Sequence, residues 1–344
     1  MSDYIVEREN MLKNKRYLIY SLPVIGLIIS LFIGRYPIDI KTVFQVISKG
    51  IFHTNQEVIA TDFSLIWDVR MPRAILAIMV GGSLGISGAA LQGLFRNPLV
   101  DSSLLGVSSG AGFGAALAII LFSNVFSIYI LAFVFSMIAV MISVRVGKIN
   151  NYTSTILLVL GGVIVSSIFS SLISFLKYLA DPYNELPSII FWMMGSLANA
   201  SYKEILISGF PMIIGVSGLV LVRWRINVLS MGEKEAQSLG INIKFYRGLI
   251  IVCASLATAG AVAVCGIISW IGLVIPHIGR MLVGNDNQKL LPVSIALGGF
   301  MLLFIDVLGR IITGGELPLN ILTALIGGPF YIYLLKKTKA GAWL

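Results

Sequence analysis

Residues 72–95, PRAILAIMVGGSLGISGAALQGLF, carry one charge, Arg73, near their start and are otherwise apolar or small except for two serines and a glutamine. A helix rises about 1.5 Å per residue, so this run would extend over roughly 36 Å. The hydrocarbon core of a bilayer is about 30 Å thick. The stretch therefore predicts a helix that crosses a membrane.

The composition extends this interpretation to the whole chain. Of the 344 residues, 57% are hydrophobic and 12% are charged, and the mean hydropathy is +0.92. A soluble domain has about 25% charged residues, because it must cover its core with polar surface. The formal net charge of +9 does not point to nucleic acid, since the basic residues lie at the ends of apolar runs. We expect an all-α, polytopic membrane protein of a single domain, 1–344.

Ten apolar runs are long enough to be candidate spans, and the first is interpreted as a retained helix rather than a cleaved leader. A further apolar stretch, 186–200, is interpreted as non-spanning. The predicted spans are 17–34, 72–95, 104–122, 128–146, 153–176, 205–222, 248–266, 270–283, 293–312 and 318–335.

The distribution of Lys and Arg predicts the orientation of these spans. With both termini in the cytoplasm, 17 of the 25 Lys and Arg residues fall on the cytoplasmic side and 8 on the external side. Cytoplasmic loops of membrane proteins carry an excess of Lys and Arg. Ten crossings with both termini cytoplasmic are therefore the expected topology, in a plasma (inner) membrane.

Two longer connections lie between the predicted spans. Residues 35–69 form an external loop with helix-like patterning, and residues 226–247 form the longest cytoplasmic loop. The second loop is polar with scattered apolar residues and is punctuated by Gly232 and Gly240, a pattern typical of short helices that lie against a partner at the membrane face.

Small residues recur at helical spacing along two of the spans. Because helices in lipid associate through close backbone approach, such stripes predict helix–helix contacts, with a role in lining a pathway as the alternative. The glycines in these stripes are Gly81, Gly85, Gly106, Gly110 and Gly114.

Motifs for chemistry within the chain are missing from the sequence. No G-x-x-x-x-G-K-[ST] loop for nucleotide occurs, and no grouping of His, Cys or carboxylates has the spacing of a metal or catalytic site. We therefore expect neither an enzyme nor a bound cofactor. Asp306, the deepest acid, lies four residues before Arg310 and is interpreted as its helical partner. His277 is interpreted as structural.

Three arginines fall on the predicted external side, against the general trend. Arg70 and Arg73 lie one helical turn apart at the start of the second span, and Arg310 lies at the end of the ninth. Arginine pairs with carboxylates through two parallel hydrogen bonds, which suits docking of an acidic protein surface. The alternative is that these side chains extend to lipid headgroups.

Four stretches of the chain resemble one family. They are VRMPRAILAIMVGGSLGISGAALQGLFRNPLVDSSLLGVSSGAGFG at 69–114, MGEKEAQSLGI at 231–241, GIISWIGLVIPHIGRMLVG at 266–284 and GELPLNILTALIGGPFYIYLL at 315–335. Together they resemble the permease subunits of ABC importers for ferric siderophores, haem and cobalamin, the FecCD/BtuC-like family. The likeness runs over nearly the whole chain.

The resemblance implies a BtuC-like type II ABC importer permease. It implies a homodimer, in which the second permease subunit is another copy of this chain, together with two ATP-binding subunits and an external substrate-binding protein. It implies that Arg70, Arg73 and Arg310 dock the binding protein. It also implies that Thr153 and Ser154 form a cytoplasmic gate that narrows the exit. The residues that would couple the permease to the ATP-binding subunits are Met231, Gly232, Glu233, Glu235, Leu239 and Gly240.

The predicted function is uptake of an iron chelate, haem or cobalamin, with ATP bound only by the partner subunits. The alternatives are an ion-coupled secondary transporter, which would keep ionisable groups near the membrane midplane, and a membrane enzyme with a buried catalytic group. The sequence leaves open which ligand is carried, whether the second permease is identical, whether an outer membrane exists, and which residues line the pathway.

Overall fold

A computed structural model describes residues 2–34, 36–53, 58–122, 124–149, 152–153, 155–312 and 316–337. Fourteen α-helices account for most of them. These are α1 (Ser2–Phe32), α2 (Ile40–Phe52), α3 (Ala60–Phe63), α4 (Met71–Phe95), α5 (Val107–Phe122), α6 (Val125–Val146), α7 (Thr155–Leu179), α8 (Glu185–Met194), α9 (Tyr202–Met231), α10 (Glu233–Ser238), α11 (Ile243–Cys265), α12 (Ile271–Val283), α13 (Asn287–Ile312) and α14 (Leu319–Lys337).

Short irregular elements join these helices. A π-helical segment, Ser64–Arg70, leads directly into α4, and a 3₁₀ turn, Ser102–Leu105, precedes α5. Two strands of two residues each, β1 (Lys148–Ile149) and β2 (Tyr152–Thr153), pair antiparallel between α6 and α7. The predicted external loop 35–69 therefore contains α2, α3 and the π-helical segment.

A helix lies within each of the ten predicted spans, and α8 occupies the stretch that was predicted not to span. Within the described residues, six helical segments are long and apolar enough to cross a membrane: Ala60–Phe95, Val125–Val146, Ile156–Leu179, Tyr202–Met231, Ile243–Cys265 and Asn287–Ile312. The other predicted spans correspond to shorter apolar helices. The all-α polytopic fold is confirmed.

The predicted cytoplasmic loop 226–247 is shorter than expected. Helix α9 continues to Met231 and α11 begins at Ile243, so that only residues 232–242 connect them, and α10 lies within this connection. Only the polar residues at the two ends of the predicted loop, such as Asn227 and Lys244, lie on the last turns of α9 and the first turn of α11. Helices that extend beyond an apolar span acquire such polar ends where they leave the hydrocarbon.

Helix α4 lies at the centre of the bundle and packs against α9, α11, α12 and α13. In its apolar window 83% of the residues are buried, against 22% in α6. The small residues of α4 allow this burial, because they let α13 approach closely. A Cβ added at Gly81 would collide with the backbone carbonyl of Gly298 on α13, and a Cβ added at Gly298 would collide with the backbone carbonyl of Gly81. Two backbones can approach this closely only where both helices lack a side chain.

The direction of the helices gives the bundle two ends. We call the end where α4 begins and α13 ends the Arg73 end. We call the opposite end, where α4 and α9 end and α11 begins, the α10 end. Tyr202 Oη, at the start of α9, donates to Trp67 O at the Arg73 end, 2.9 Å away.

Candidate functional site

The Arg73 end carries a buried cluster of charges, which we call the arginine cluster: Arg70, Arg73, Asp306, Arg310 and Glu316. Arg73 Nη2 and Nε donate to Asp306 Oδ1 at 2.8 and 3.0 Å, and Arg73 Nη1 donates to Glu316 Oε1 at 2.5 Å. The Asp306 side chain is fully buried, whereas that of Glu316 is 45% exposed. Asp306 is therefore the permanent counter-ion of the cluster, and Glu316 is a partner that solvent or another molecule can reach.

Arg310 also pairs with Asp306, as the four-residue spacing on α13 predicted. Its Nε lies 3.2 Å from Asp306 Oδ2, although without hydrogen-bond alignment. Its Nη2 is buried and has no acceptor among the residues that the structure describes. With three arginines and two carboxylates the cluster has a formal charge of +1. One guanidinium edge therefore remains available to a further anion.

Arg70 has a different environment from the other two arginines. Its side chain is buried, and its Nη1 and Nη2 donate to the carbonyl oxygens of Leu31 and Tyr36, each at 2.6 Å. Leu31 lies in the last turn of α1, where carbonyl groups lack helical partners. Arg70 thus caps α1 and ties it to the π-helical segment.

The three arginines are together, as predicted, but they are not open on the surface. Arg70 and Arg73 are 3% and 6% exposed, and most of their donors are already used within the chain. The sequence did not predict that Asp306 and Glu316 pair with Arg73, because both carboxylates are more than 230 residues away from it in the chain. The docking role remains a prediction.

At the α10 end, the connection 232–242 presents apolar side chains to the outside. Met231 is 64% exposed and Leu239 is 58% exposed, on either side of α10. Ala236 is buried against the core and anchors the short helix. Exposed apolar residues that are grouped together mark interaction surfaces more often than isolated ones do.

Polar contacts and two glycines hold α10 in this position. Glu233 Oε1 accepts from Arg247 Nη2 on α11 at 2.5 Å. Gly232 has φ 143° and Gly240 has φ 73°, conformations that side chains other than glycine adopt at a cost. Glu235 lies on the same short helix. Five of the six predicted coupling residues thus belong to the connection 232–242, and the sixth, Met231, ends α9 directly before it.

The other predicted site residues fall in two groups. Gly81, Gly85, Gly110 and Gly114 lie where a Cβ would meet the backbone of a neighbouring helix, whereas Gly106 has φ 84° and ends the 3₁₀ turn before α5. Thr153 lies on β2, but its side chain and the whole of Ser154 are outside the described residues.

A polar bridge at the α10 end was not predicted. Gln92 on α4 donates to Gly272 O at 3.2 Å and accepts from Arg280 Nη2 at 2.6 Å, so it holds both ends of α12. Its side chain is buried. The available signal was a single glutamine inside an otherwise apolar run, since a buried amide needs partners in lipid.

Comparisons with known proteins agree on one family. Residues 22–337 match the model of the FecCD transport family. A molybdate import system permease protein of Haemophilus influenzae is 39% identical over 93% of this chain and 94% of its own length. A permease assigned to iron chelatin transport in Helicobacter pylori is 42% identical over 85% and 88%. Less similar relatives are named for cobalamin and hemin.

A solved structure supports the same assignment. An ABC transporter assigned to the metal-chelate type, in an inward-facing conformation, superposes with a TM-score of 0.85 at 36% identity, covering 95% of this chain and all of that chain. The expectation of a multi-pass importer permease in the cell membrane is confirmed. The chain belongs to the FecCD transport family, as a permease subunit of an ABC importer.

Proposed function

We propose that this permease works as a dimer with separate ATP-binding subunits and an external substrate-binding protein, and that its α10 end faces the cytoplasm. The observation that carries the proposal is that two exposed apolar side chains, Met231 and Leu239, flank the firmly held helix α10. The chain has no nucleotide-binding loop of its own. A surface of this kind suits contact with the subunit that hydrolyses ATP.

The coupling step follows from how α10 is attached. The helix joins α9 and α11 directly and is braced by the Glu233–Arg247 ion pair. Both long helices run through the bundle to the Arg73 end. Movement of an ATP-binding subunit against α10 would therefore tilt α9 and α11 together, and ATP would shift the permease between states by binding one of them better.

The binding protein would dock at the Arg73 end, with Arg310 as the main contact. Arg310 has a buried guanidinium nitrogen without an acceptor among the described residues, and the cluster has a formal charge of +1. A carboxylate from the binding protein would pair with it and would compete with Glu316 for Arg73. Arg70 supports this surface by holding α1 in place.

An iron chelate is the cargo that we propose. The permease assigned to iron chelatin transport is 42% identical, and the superposed transporter is of the metal-chelate type. Molybdate is the second candidate, because the molybdate import permease matches 93% of this chain, whereas the iron chelatin permease matches 85%. This candidate lies outside the ligands expected from the sequence motifs.

The test is uptake by cells with and without the gene, using labelled ferric siderophores, haem, cobalamin and molybdate. Selective loss of ferric siderophore uptake would support the proposed cargo, and selective loss of molybdate uptake would replace it. Reconstitution of the permease with its ATP-binding subunits in liposomes tests the mechanism. Uptake that runs on an ion gradient without ATP would contradict it.

A further inference from the structure

A polar cavity of about 290 Å³ opens at the α10 end, where α4, α9, α12 and α13 meet. Its wall includes the side chains of Arg96 and Arg280 and no acidic residue. Gln92, Asn97, Asn287 and Ser230 also contribute to it. Two cations and several amide groups around a space without a negative charge suit an anion.

Arg280 provides the clearest sign of a missing partner. It is partly buried, and its hydrogen bond goes to the neutral amide of Gln92, 2.6 Å away. Within the part of the chain that the structure describes, no carboxylate lies in salt-bridge distance of it. A guanidinium taken out of water without a counter-ion is costly. Arg73, which is buried at the opposite end, has two carboxylates.

The other lining groups add donors at the same place. Arg96 is exposed, follows α4 with φ 50°, and forms no ion pair within the described ranges. Asn287 is only 4% exposed, yet its side-chain amide has no hydrogen-bond partner in the described structure. Asn97 Oδ1 accepts from Leu99 N at 2.9 Å, which leaves its NH₂ group to donate.

The nearest acid does not neutralise this cavity. Asp286 precedes Asn287, but its Oδ1 accepts from Asn227 Nδ2 at 2.7 Å and its Oδ2 lies 3.6 Å from Lys289 Nζ. Both of its oxygens are therefore engaged outside the cavity wall. No carboxylate in the part of the chain that the structure describes compensates the positive charge of Arg96 and Arg280.

We propose that this cavity receives the carboxylate of an acidic side chain from the ATP-hydrolysing partner. Arginine binds carboxylates through paired, charge-assisted hydrogen bonds. Ser230 in the wall lies three residues before Glu233, the first residue of α10, so a partner seated on α10 would also cover the cavity. The inference rests on the proposed function and adds a second, charge-specific contact to the apolar one.

The experiment measures binding of the purified ATP-binding subunit to the permease in nanodiscs of neutral lipid. Arg96→Glu is expected to raise the Kd by about tenfold or more, because it places a negative charge against the incoming carboxylate. Arg145→Glu is the matched control, since Arg145 is exposed at the end of α6, at the same end of the bundle, and does not line the cavity. Its Kd should stay close to that of the wild type.

A charge-swap series then locates the partner residue. Single Asp→Lys and Glu→Lys variants of the ATP-binding subunit are tested against Arg96→Glu, and one of them should restore binding. Arg280→Gln, which keeps a hydrogen-bonding group, should also weaken binding while Arg280→Lys retains part of it.

Other results would overturn the inference in distinguishable ways. Equal Kd values for Arg96→Glu and Arg145→Glu would overturn it and leave the proposed function intact. Two results would assign the cavity to a phosphate group instead. In one, Arg96→Glu weakens binding only in nanodiscs with anionic lipid. In the other, 50 mM phosphate, roughly a saturating level for a weak anion site, weakens binding of the wild type as much as Arg96→Glu does. If the wild-type permease binds no ATP-binding subunit, both this inference and the proposed function are overturned.

Discussion

Arg73 and Asp306 are 233 residues apart in the sequence and form a buried, bidentate ion pair that joins the first turn of α4 to the last turns of α13. Asp306 also faces Arg310, so a single carboxylate compensates two guanidinium groups. A cluster of this kind ties the central helix to its closest neighbour and at the same time keeps positive charge near the surface. Its stability and its binding properties can be tested separately.

Asp306→Asn should destabilise the permease by about 3–5 kcal/mol, because it leaves two arginines without their buried counter-ion. The measurement is chemical or thermal unfolding of the purified protein in detergent. Glu316→Gln is the control, since a pair with a half-exposed carboxylate contributes about 1 kcal/mol or less. Equal losses of unfolding free energy in the two variants would contradict the distinction between Asp306 as the permanent partner and Glu316 as the exchangeable one.

Glu316→Gln should strengthen docking of the binding protein, because Arg73 loses its exchangeable partner and the formal charge of the cluster rises. We expect a several-fold decrease in Kd at low salt that shrinks as salt is added. Asp68→Asn removes an exposed charge from the same end without touching the cluster and should leave the Kd unchanged. Arg310→Gln should weaken docking. If neither Arg310→Gln nor Glu316→Gln changes the Kd of the binding protein, the arginine cluster is not the docking contact.

Replacing Met231 and Leu239 together by serine should weaken the response of ATP hydrolysis to the permease, because both apolar side chains face outward beside α10. Loss of each is expected to cost about 1–2 kcal/mol of binding. Hydrolysis by the ATP-binding subunit is measured with and without permease. Ser238→Ala is the control on the same helix, since that hydroxyl bonds only to carbonyls of α10. Unchanged stimulation in the double variant would exclude α10 as the coupling contact.

Gly85→Ala should destabilise the bundle by about 1–3 kcal/mol, because the new Cβ would lie 2.5 Å from Ser294 O on α13. Gly248→Ala on α11 is the matched control: no atom lies within 4 Å of its added Cβ, and the change should be neutral or stabilising by up to about 1 kcal/mol. Thermal unfolding in detergent compares the two. A Gly85→Ala variant as stable as the wild type would show that α4 and α13 can separate without cost.

Asp286, between α12 and α13, should make stability depend on pH. Burial raises the pKa of its carboxyl, but hydrogen bonds from Asn227 and from the Gln288 N–H and the charge of Lys289 outweigh burial, so the pKa lies below its ordinary value. Such a group stabilises the fold above its unfolded pKa of about 3.9, and the contribution is lost as the pH falls through the folded pKa. Asp286→Asn should therefore reduce the loss of stability below about pH 4. Asp39→Asn, a change at an exposed carboxyl, is the control. If the free energy of unfolding falls with pH equally in Asp286→Asn and in the wild type, Asp286 does not have this role.

The sequence by itself determined the elements of this protein. A helix at each of the ten apolar runs and the glycine stripes of α4 and α5 were predicted from apolar length and small-residue spacing, because in lipid a helix must satisfy all its backbone groups internally. The Asp306–Arg310 pair was predicted for a similar reason, since four residues along a helix make a local neighbour. The motifs were also sufficient for the family.

Only the tertiary structure decided which side chains meet across helices. Three features depend on how α4 packs against α12 and α13. Arg73 pairs with Asp306 and Glu316, Gln92 bridges both ends of α12, and Arg280 has no carboxylate partner among the described residues. Such contacts join residues 180 or more positions apart, and hydrophobic periodicity contains no information about them. The packing therefore turned three arginines expected at the surface into a buried cluster whose charge two carboxylates compensate in part.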